Sequence, residues 1–321
     1  MNGLESIATL SMWAGFITFV VLMLALDLFV FGGNKPHKVS VKEAATWSAV
    51  WFFLAMVFNG GLWWYLNGTA GPEVANQKSL EFFSGYLIEK TLSVDNVFVF
   101  LLIFTAFKVP AQYQRRVLIY GVLGAIVMRA VIILAGAWLV SEFRWMLYVF
   151  GAFLLITGIR MIVAADAEPD VANKRVLRFA RRHLRVAEGD HGERFSIVNN
   201  GVRYVTPLFL VLILIEVTDL VFAVDSIPAI FAITTDPFIV FTSNLFAILG
   251  LRALYFLLVN VADRFHLLKY GLAMVLTFIG VKMLITPWYH VPVQASLTVV
   301  AVLIGASCLA SVFISRSGNG K

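Results

Sequence analysis

The sequence has one cysteine, Cys308, which lies in an apolar run. A single thiol cannot form a disulfide within the chain, so a disulfide-stabilised fold is excluded. Charged residues are also scarce. They make up 14% of the chain, whereas ordinary soluble domains have about a quarter. Hydrophobic residues reach 60% and occur in runs of about 20 residues or longer, as membrane spans require. This composition predicts an all-α integral membrane protein with several spans.

Several function classes lack their sequence signatures. No glycine loop of the type G-x-x-x-x-G-K-[ST] occurs, so ATP-driven pumping is not expected. No hydrolase site is visible either, and we expect neither an enzyme nor an organic cofactor. The formal net charge of +6 comes from Lys and Arg that lie mostly in a few short loops. This is the positive-inside pattern of membrane proteins rather than a nucleic-acid-binding surface.

The apolar runs predict nine spans, and the loop charges orient them. The spans are residues 13–31, 44–65, 80–107, 117–140, 145–164, 206–230, 238–259, 270–286 and 293–314. Basic residues in alternate loops place the N-terminus outside and the C-terminus in the cytoplasm. The chain starts without a basic n-region or a small-residue cleavage site, so the first run is predicted to be a retained span rather than a signal peptide.

Spans three to five resemble spans six to eight. Residues 124–129 align with residues 247–252, and a Gly-x-basic-Met motif at 158–161 recurs at 280–283. Because three is odd, the second unit must enter the membrane from the opposite side, which predicts a 3+3 inverted-topology repeat with a site at its interface. We predict five segments, namely two N-terminal spans with an outer loop (1–79), repeat A (80–164), a basic cytoplasmic loop (165–205), repeat B (206–287), and a C-terminal span and tail (288–321). Within the cytoplasmic loop we predict an amphipathic helix over 175–186 and a hairpin around 199–201.

A short acidic phrase lies inside each repeat. The first reads EKTLSVDN at residues 89–96 and the second DLVFAVDS at residues 219–226, each with two carboxylates six residues apart and then a small polar side chain. Charged groups in a membrane span are costly and usually mark a transport path or a relay. The pairs expected to face each other are Asp95 and Asn96 with Asp225 and Ser226, and Glu89 with Asp219.

Pro228 predicts a break in span six. On a straight helix, residues six apart differ by about 240° in direction and about 9 Å in height, so Asp219 and Asp225 can face one point only if the helix bends. Glu216, three residues before Asp219, shares its face. Pro228 has no N–H to donate to the preceding turn, and half-helix ends with open carbonyls are where transporters coordinate cations. We therefore predict local unwinding over residues 222–228.

The donor set predicts a hard cation. The candidate metal ligands are Glu89, Asp95, Asn96, Glu216, Asp219, Asp225 and Ser226, with Ser93, Thr218 and Asn244 as further oxygen donors. No His or Cys is among them, so Mg²⁺, Ca²⁺ or Mn²⁺ fits better than zinc or copper. A carboxylate left unpaired in a low dielectric can also take up a proton, which makes cation–proton exchange available.

A purely structural interpretation competes with the cation site. In it, the acids form ion pairs with basic residues of the spans, namely Lys90, Arg129, Arg160, Arg252 and Lys282. The two phrases and the adjacent Glu216 hold five acids. This exceeds what structure alone requires, so we predict a functional site. The residues assigned a supporting or gating role are Arg129, Arg252, Asn244, Lys90 and Pro228. Arg129 and Arg252 could equally bind an anion or neutralise the empty site.

The chain resembles the TerC family of integral membrane proteins, and most closely its Alx branch. In the first half the resemblance rests on YLIEK (86–90), LSVDNVF (92–98), RRVL (115–118) and YGVLGA (120–125). In the second half it rests on FAVDSIPAIFA (222–232), TTDPFIV (234–240) and SNLFAILGLR (243–252). The resemblance covers nearly the whole chain, and no acidic position departs from it.

The resemblance implies a secondary transporter that exports manganese(II) across the bacterial inner membrane, with the membrane acids as metal ligands. The family takes its name from tellurium resistance, and some relatives are linked to metal loading of secreted enzymes. Two alternatives therefore stay open: a non-transporting membrane scaffold for metalation or folding of secreted proteins, and a tellurium-oxyanion resistance factor. The sequence leaves undecided the coupling ion, the stoichiometry, a homo-oligomeric state, the role of the cytoplasmic loop and whether the two phrases form one site or two.

Overall fold

The protein is known here from a computed structural model, which describes residues 6–31, 40–143, 145–163, 182–187, 189, 191–199, 201–259, 267–289 and 291–318. Over these residues the fold consists of helices and one small hairpin. The helices are α1 (Leu10–Phe31), α2 (Val41–Thr69), α3 (Pro72–Ala106), α4 (Ala111–Glu142), α5 (Met146–Val163), α6 (Pro207–Phe231), α7 (Pro237–Leu249), α8 (Leu251–Leu258), α9 (Leu268–Ile285) and α10 (Val293–Gly318). The strands are β1 (Ser196–Asn199) and β2 (Val202–Val205).

Several of these helices can cross a membrane. Within the described part of the chain, α2, α4, α5, α6 and α10 are long and apolar enough, and the bent pair formed by α7 and α8 adds a sixth candidate. The chain is therefore an all-α integral membrane protein. The nine-span topology and the inverted repeat stay predictions.

Helix α4 illustrates how these helices face lipid. Val127, Val131, Leu134 and Trp138 recur at helical spacing and are between 53% and 65% exposed. Arg129 lies on the opposite face and is only 1% exposed. An apolar outer face and a polar inner face are what lipid demands, because buried polar groups must find partners inside the protein.

Helix α3 lies at the centre of the bundle, in contact with α2, α6, α7, α8 and α10. Its buried residues include the polar side chains of Glu89, Ser93 and Asn96 as well as large apolar ones. Polar groups in a helix surrounded by other helices can be satisfied by those neighbours rather than by lipid. The first acidic phrase is therefore held inside the bundle.

Glycines bring α5 and α9 into backbone contact. A Cβ atom on Gly158 would lie 2.7 Å from the Thr277 nitrogen, and one on Gly280 would lie 2.5 Å from the Leu155 nitrogen. Small residues allow this close approach, on which membrane helices rely because lipid supplies no hydrophobic drive between them. The two glycines begin the repeated Gly-x-basic-Met motif, so the motif has a packing role.

The hairpin predicted around residues 199–201 is confirmed. Strands β1 and β2 pair antiparallel, with Ser196 opposite Val205. Gly201 has φ +76°, a left-handed conformation that glycine adopts without steric cost. Most of the amphipathic helix predicted over 175–186 lies outside the described residues.

The predicted unwinding over residues 222–228 is wrong. Helix α6 continues through this segment with Pro228 inside it. All residues from 226 to 231 are buried, so neighbouring helices hold the backbone in helical form although proline removes one hydrogen bond.

The break occurs in span seven instead. Helices α7 and α8 meet at Gly250 with a bend of 41°. The Lys90 ammonium donates to the Ala247 carbonyl at 3.4 Å, and a Cβ on Gly250 would lie 2.5 Å from Lys90 Nζ. A cation at a helix C-terminus satisfies open carbonyls and interacts favourably with the helix dipole. Glycine thus makes room for the lysine that stabilises the broken end.

Asp236 anchors the segment before α1 to the start of α7. Its Oδ1 accepts from the Phe238 N–H at 2.9 Å and from the Ser6 hydroxyl at 3.2 Å, and its Oδ2 accepts from the Ile7 N–H at 2.9 Å. The residue is 3% exposed. One carboxylate therefore caps a helix and binds a segment about 230 positions away in sequence.

Asp236→Ala is expected to lower the free energy of unfolding by about 2 kcal/mol, because it removes a helix cap and leaves two N–H groups without their acceptor. Thermal unfolding of the purified protein in detergent measures the change. Ser40→Ala removes the exposed cap of α2, in which the Glu43 N–H donates to the Ser40 hydroxyl, and should cost less. Equal losses would mean that Asp236 does not anchor the first segment.

Candidate functional site

A buried arginine joins carboxylates from the two acidic phrases. Arg129 of α4 donates from Nη1 to Glu89 Oε1 of α3. On its other side it donates from Nη2 to Asp219 Oδ1 at 2.9 Å and from Nε to Asp219 Oδ2 at 3.1 Å. Arg129 and Glu89 are each 1% exposed and Asp219 is 2% exposed. We call these three residues the Arg129 cluster. Glu89 and Asp219 are therefore neighbours, as expected.

Two amide side chains form hydrogen bonds with the Arg129 cluster. Asn96 Nδ2 donates to Asp219 Oδ1 at 3.3 Å, and Asn244 Oδ1 accepts from Arg129 Nη1 at 3.4 Å. Two carboxylates and one guanidinium leave one negative charge in excess. Glu89 Oε2 has no hydrogen-bond partner among the described residues. The cluster thus keeps acceptor capacity and a charge that favour a cation.

A cavity of about 30 Å³ adjoins the cluster. Its polar lining residues are Glu89, Asp95, Asn96, Arg129, Asp225 and Ser226. We call it the acidic cavity. Asn96 Oδ1 and Ser226 Oγ are buried and have no partner among the described residues. The space suits one or two water molecules, or one ion that has shed most of its hydration shell.

Asp95 and Asp225 face this cavity from opposite helices, as expected. Both residues are half-buried. Asp95 lies close enough to Lys269 of α9 to interact electrostatically, and Asp225 lies beside the polar side chain of Thr157 of α5. The acidic cavity therefore has one carboxylate from each phrase in addition to Glu89.

The acidic cavity is not a preformed cage of carboxylates. Among the residues that the structure describes, no three side chains of His, Cys, Asp or Glu lie close enough to hold a metal ion together. The Arg129 guanidinium instead lies between Glu89 and Asp219. A cation that used both of these carboxylates would have to replace it.

Glu216 lies apart from the acidic cavity. It shares the face of Asp219, but its carboxylate packs against Gly124 of α4, where a Cβ atom would overlap it. Its Oε2 has no partner among the described residues. Glu216 does not line the acidic cavity, and its role as a metal ligand stays a prediction.

Of the remaining predicted oxygen donors, two hydroxyls donate to their own helices and one amide contacts Arg129. The Ser93 hydroxyl donates to the Glu89 carbonyl and the Thr218 hydroxyl donates to the Leu214 carbonyl, each at 2.7 Å. Such bonds to the preceding turn leave the oxygen lone pairs available. Asn244 already contacts the Arg129 cluster.

The basic residues of the spans have different environments. Lys90 belongs to α3, and its ammonium donates to a carbonyl near the end of α7. Arg252 is 8% exposed and lines a small cavity together with Asp219. Arg160 is exposed near the end of α5. The ion-pair interpretation therefore holds for Arg129, and Lys90 has a backbone role instead.

Three residues near the acidic cavity were not predicted from the sequence. Thr157 and Met161 come from α5 and Lys269 from α9. Met161 is the last residue of the first Gly-x-basic-Met motif, and Thr157 directly precedes that motif. The repeated motif was therefore a sequence signal for both residues. Lys269 had no such signal, since it lies in a stretch that reads as a topology-determining loop.

Comparison with known sequences identifies the family. The model of the family described as "Integral membrane protein TerC family" matches residues 74–319. The chain belongs to the TerC family. This TerC protein is 52% identical to Alx of Salmonella typhi over 318 residues, which cover 99% of both chains. It is 56% identical to Alx of Escherichia coli strain K12 over 297 residues, which cover 92% of both chains.

The Alx relatives carry the name of proposed membrane-bound redox modulators. A membrane protein of Myxococcus xanthus is 49% identical over 316 residues, which cover 98% of the TerC protein and 96% of that relative. No solved structure matches the chain.

Proposed function

We propose that this TerC protein is a secondary transporter that exports Mn²⁺ from the cytoplasm across the bacterial inner membrane, and is not an enzyme. The proposal includes nine spans, an outside N-terminus, a cytoplasmic C-terminus and an inverted repeat. The observation that supports it most is the Arg129 cluster beside the acidic cavity. Carboxylates from both acidic phrases converge there inside a membrane protein, and intramembrane charges of this kind mark ion pathways.

The Arg129 cluster provides a way to exchange an internal cation for a transported one. A dication in the acidic cavity is attracted by Asp95 and Asp225, with Asn96 and Ser226 as neutral oxygen donors. As it approaches Glu89 and Asp219 it repels the guanidinium, because like charges a few ångströms apart repel strongly in a low dielectric. Arg129 then moves away when the ion binds and returns when it leaves.

This exchange compensates the buried negative charges when no ion is bound. With Arg129 between the two carboxylates, an empty state does not expose two uncompensated charges to the membrane interior. A ligand shifts a conformational equilibrium only by its differential affinity for the two states. An ion that displaces Arg129 from Asp219 alters contacts between α4 and α6 and so has such a differential effect.

The choice of ion and of coupling ion rests on chemistry and on the family resemblance. Carboxylate, amide and hydroxyl oxygens suit Mn²⁺, Mg²⁺ and Ca²⁺ alike, and the resemblance selects Mn²⁺. Asp95 and Asp225 are carboxylates in a partly dehydrated cavity, where protonation is available as a counter-movement. We therefore propose proton exchange as the coupling.

Flux from proteoliposomes loaded with Mn²⁺, Mg²⁺ or Ca²⁺ tests the proposal. Wild-type protein is expected to release Mn²⁺ selectively, and Asp225→Asn is expected to lose at least about tenfold in rate, because it keeps the shape but removes the charge that attracts the ion. Glu193→Gln is a matched control that neutralises a carboxylate paired with Arg116 in the hydrophilic region. Equal rates for Asp225→Asn and wild type would remove Asp225 from the mechanism.

Redox modulation and the two alternatives left open by the sequence have less support. Redox modulation, which the name of the Alx relatives suggests, usually needs a pair of thiols, and the one cysteine of this chain lies partly buried in α10. Oxyanion binding by Arg129 would compete with two carboxylates that already occupy its donors. A folded protein that shows no flux would favour the scaffold alternative.

A further inference from the structure

A second, narrower cavity contains a buried lysine. It has a volume of about 10 Å³ and lies between α3, α9, α10 and the residues that follow α6. Its polar lining residues are Ser84 of α3, Lys282 of α9 and Ser296 of α10. We call it the lysine cavity. The space is close to that of one water molecule.

Two of the three polar side chains of the lysine cavity lack partners among the described residues, whereas the Ser296 hydroxyl donates to the Pro292 carbonyl at 3.2 Å. Lys282 is 8% exposed, and none of the described residues forms an ion pair or a hydrogen bond with its ammonium. Ser84 Oγ is buried without a hydrogen-bond partner among the described residues. The structural ion-pair interpretation therefore fails for Lys282. A mostly buried lysine that lines the same cavity as an unpaired hydroxyl is costly in a membrane, which points to a function.

The lysine cavity continues the acidic cavity along α3. Ser84 and Ile88 line the lysine cavity, and Leu92, Asp95 and Asn96 line the acidic cavity. Steps of three or four residues keep all of these on one face of the helix. The rise from position 84 to position 95 is about 16 Å, so the two cavities lie one above the other.

Helix α9 has the same arrangement in the opposite direction. Leu272 and Leu276 line the acidic cavity, whereas Ile279 and Lys282 line the lysine cavity. The spacing again keeps the four residues on one face. The two cavities therefore follow each other along the same faces of α3 and α9.

An apolar constriction separates the two cavities. Ile88, Ala229 and Ile279 pack in one buried cluster with Leu92 and Leu276. Hydrophobic constrictions close ion pathways because an ion cannot shed its water into them. Packed apolar side chains therefore separate the two cavities, with polar groups on each side.

We propose that the lysine cavity is the outer end of the ion pathway, and that Lys282 repels cations there so that a cation passing the constriction is held weakly and released. The inference rests on the proposed function and on its predicted topology, which puts the ends of α6 and α9 and the start of α10 outside. It assigns Lys282 a role in cation release, which is distinct from the ligand role of the acids.

Cysteine labelling in membranes tests this inference without any transport assay. In a Cys308→Ser background, Ser296→Cys is treated from the outer side with two membrane-impermeant methanethiosulfonates, one anionic (sulfonate) and one cationic (trimethylammonium). After correction for their rates with a free thiol, the anionic reagent is expected to react about tenfold faster, because the Lys282 charge attracts it and repels the other. Lys282→Met should abolish the preference and Lys282→Arg should keep it.

Ser307→Cys on the same helix is the matched control. Ser307 is buried against Gly271 rather than in either cavity, so a cysteine there should stay unlabelled from outside. Labelling of Ser296→Cys from the cytoplasmic side alone, no labelling from outside, or a charge preference unchanged by Lys282→Met would each overturn the inference.

The labelling experiment and the flux experiment test different claims, so either claim can be overturned without the other. Charge-selective labelling together with absent Mn²⁺ flux would overturn the proposed function and leave the outer position of the lysine cavity standing. Selective Mn²⁺ flux without charge-selective labelling would overturn only the assignment of Lys282.

Discussion

Arg129→Gln is expected to destabilise the protein by about 3–5 kcal/mol, because it leaves two buried carboxylates facing each other without their shared cation. The variant should also lose Mn²⁺ flux, since the internal cation that alternates with the transported one is gone. Thermal or denaturant unfolding in detergent measures the first effect, and proteoliposome flux measures the second. Added Mn²⁺ should raise the melting temperature of Arg129→Gln more than that of wild type, because a dication can replace the guanidinium.

Two controls separate the cluster from a general effect of losing an arginine. Arg116→Gln removes an ion pair with Glu193 in which both side chains are substantially exposed, and should cost about 1 kcal/mol or less. Adding Glu89→Gln and Asp219→Asn to Arg129→Gln should restore much of the stability and none of the flux. If the triple variant is as unstable as Arg129→Gln, then unpaired carboxylates are not the cause.

Gly280→Ala is expected to lower the free energy of unfolding by about 3 kcal/mol, at the upper end of the usual cost of overpacking a core. The added methyl group would lie 2.5 Å from the Leu155 nitrogen and 2.8 Å from the Gly151 carbonyl oxygen. Both neighbours are backbone atoms that cannot rotate away, so α5 and α9 must separate. Because Thr157 and Met161 reach the acidic cavity from α5, flux should fall as well. Unfolding in detergent and flux are the measurements.

Gly305→Ala in α10 is the matched control. Apart from the adjoining backbone of its own helix, nothing lies within 4 Å of the Cβ position at Gly305, and alanine favours helix over glycine by about 1 kcal/mol. This variant should be neutral or slightly more stable. If Gly280→Ala behaved like Gly305→Ala, then the glycine contact between α5 and α9 would be loose enough to accept a methyl group.

The helices were largely predictable from the sequence. Span six was predicted at 206–230, and α6 is found at Pro207–Phe231. The hairpin followed from its asparagine–glycine turn. Apolar runs and turn residues act locally, and in lipid a helix must satisfy its own backbone groups, so local composition determines where helices form. The number of spans and the inverted repeat stay predictions.

The approach of the acidic phrases was also predictable. Repeated charges in apolar sequence can avoid lipid only by turning inward, so Glu89 and Asp219 were expected to be neighbours, as were the later halves of the two phrases. What the sequence could not provide was the partner chosen by each charge. Lys90 was a candidate ion-pair residue, yet it donates to a carbonyl 157 positions away.

Long-range packing decided the rest. Pro228 could break α6 by its own chemistry, but buried neighbours keep the helix continuous, whereas Gly250 ends α7 because the lysine of another helix occupies the space that a side chain would need. Glu216 shares a helix face with Asp219 but packs against Gly124. Hydropathy and helical period are properties of neighbouring residues along the chain. The group that satisfies a buried charge comes from a distant helix, and only the assembled bundle determines which group that is.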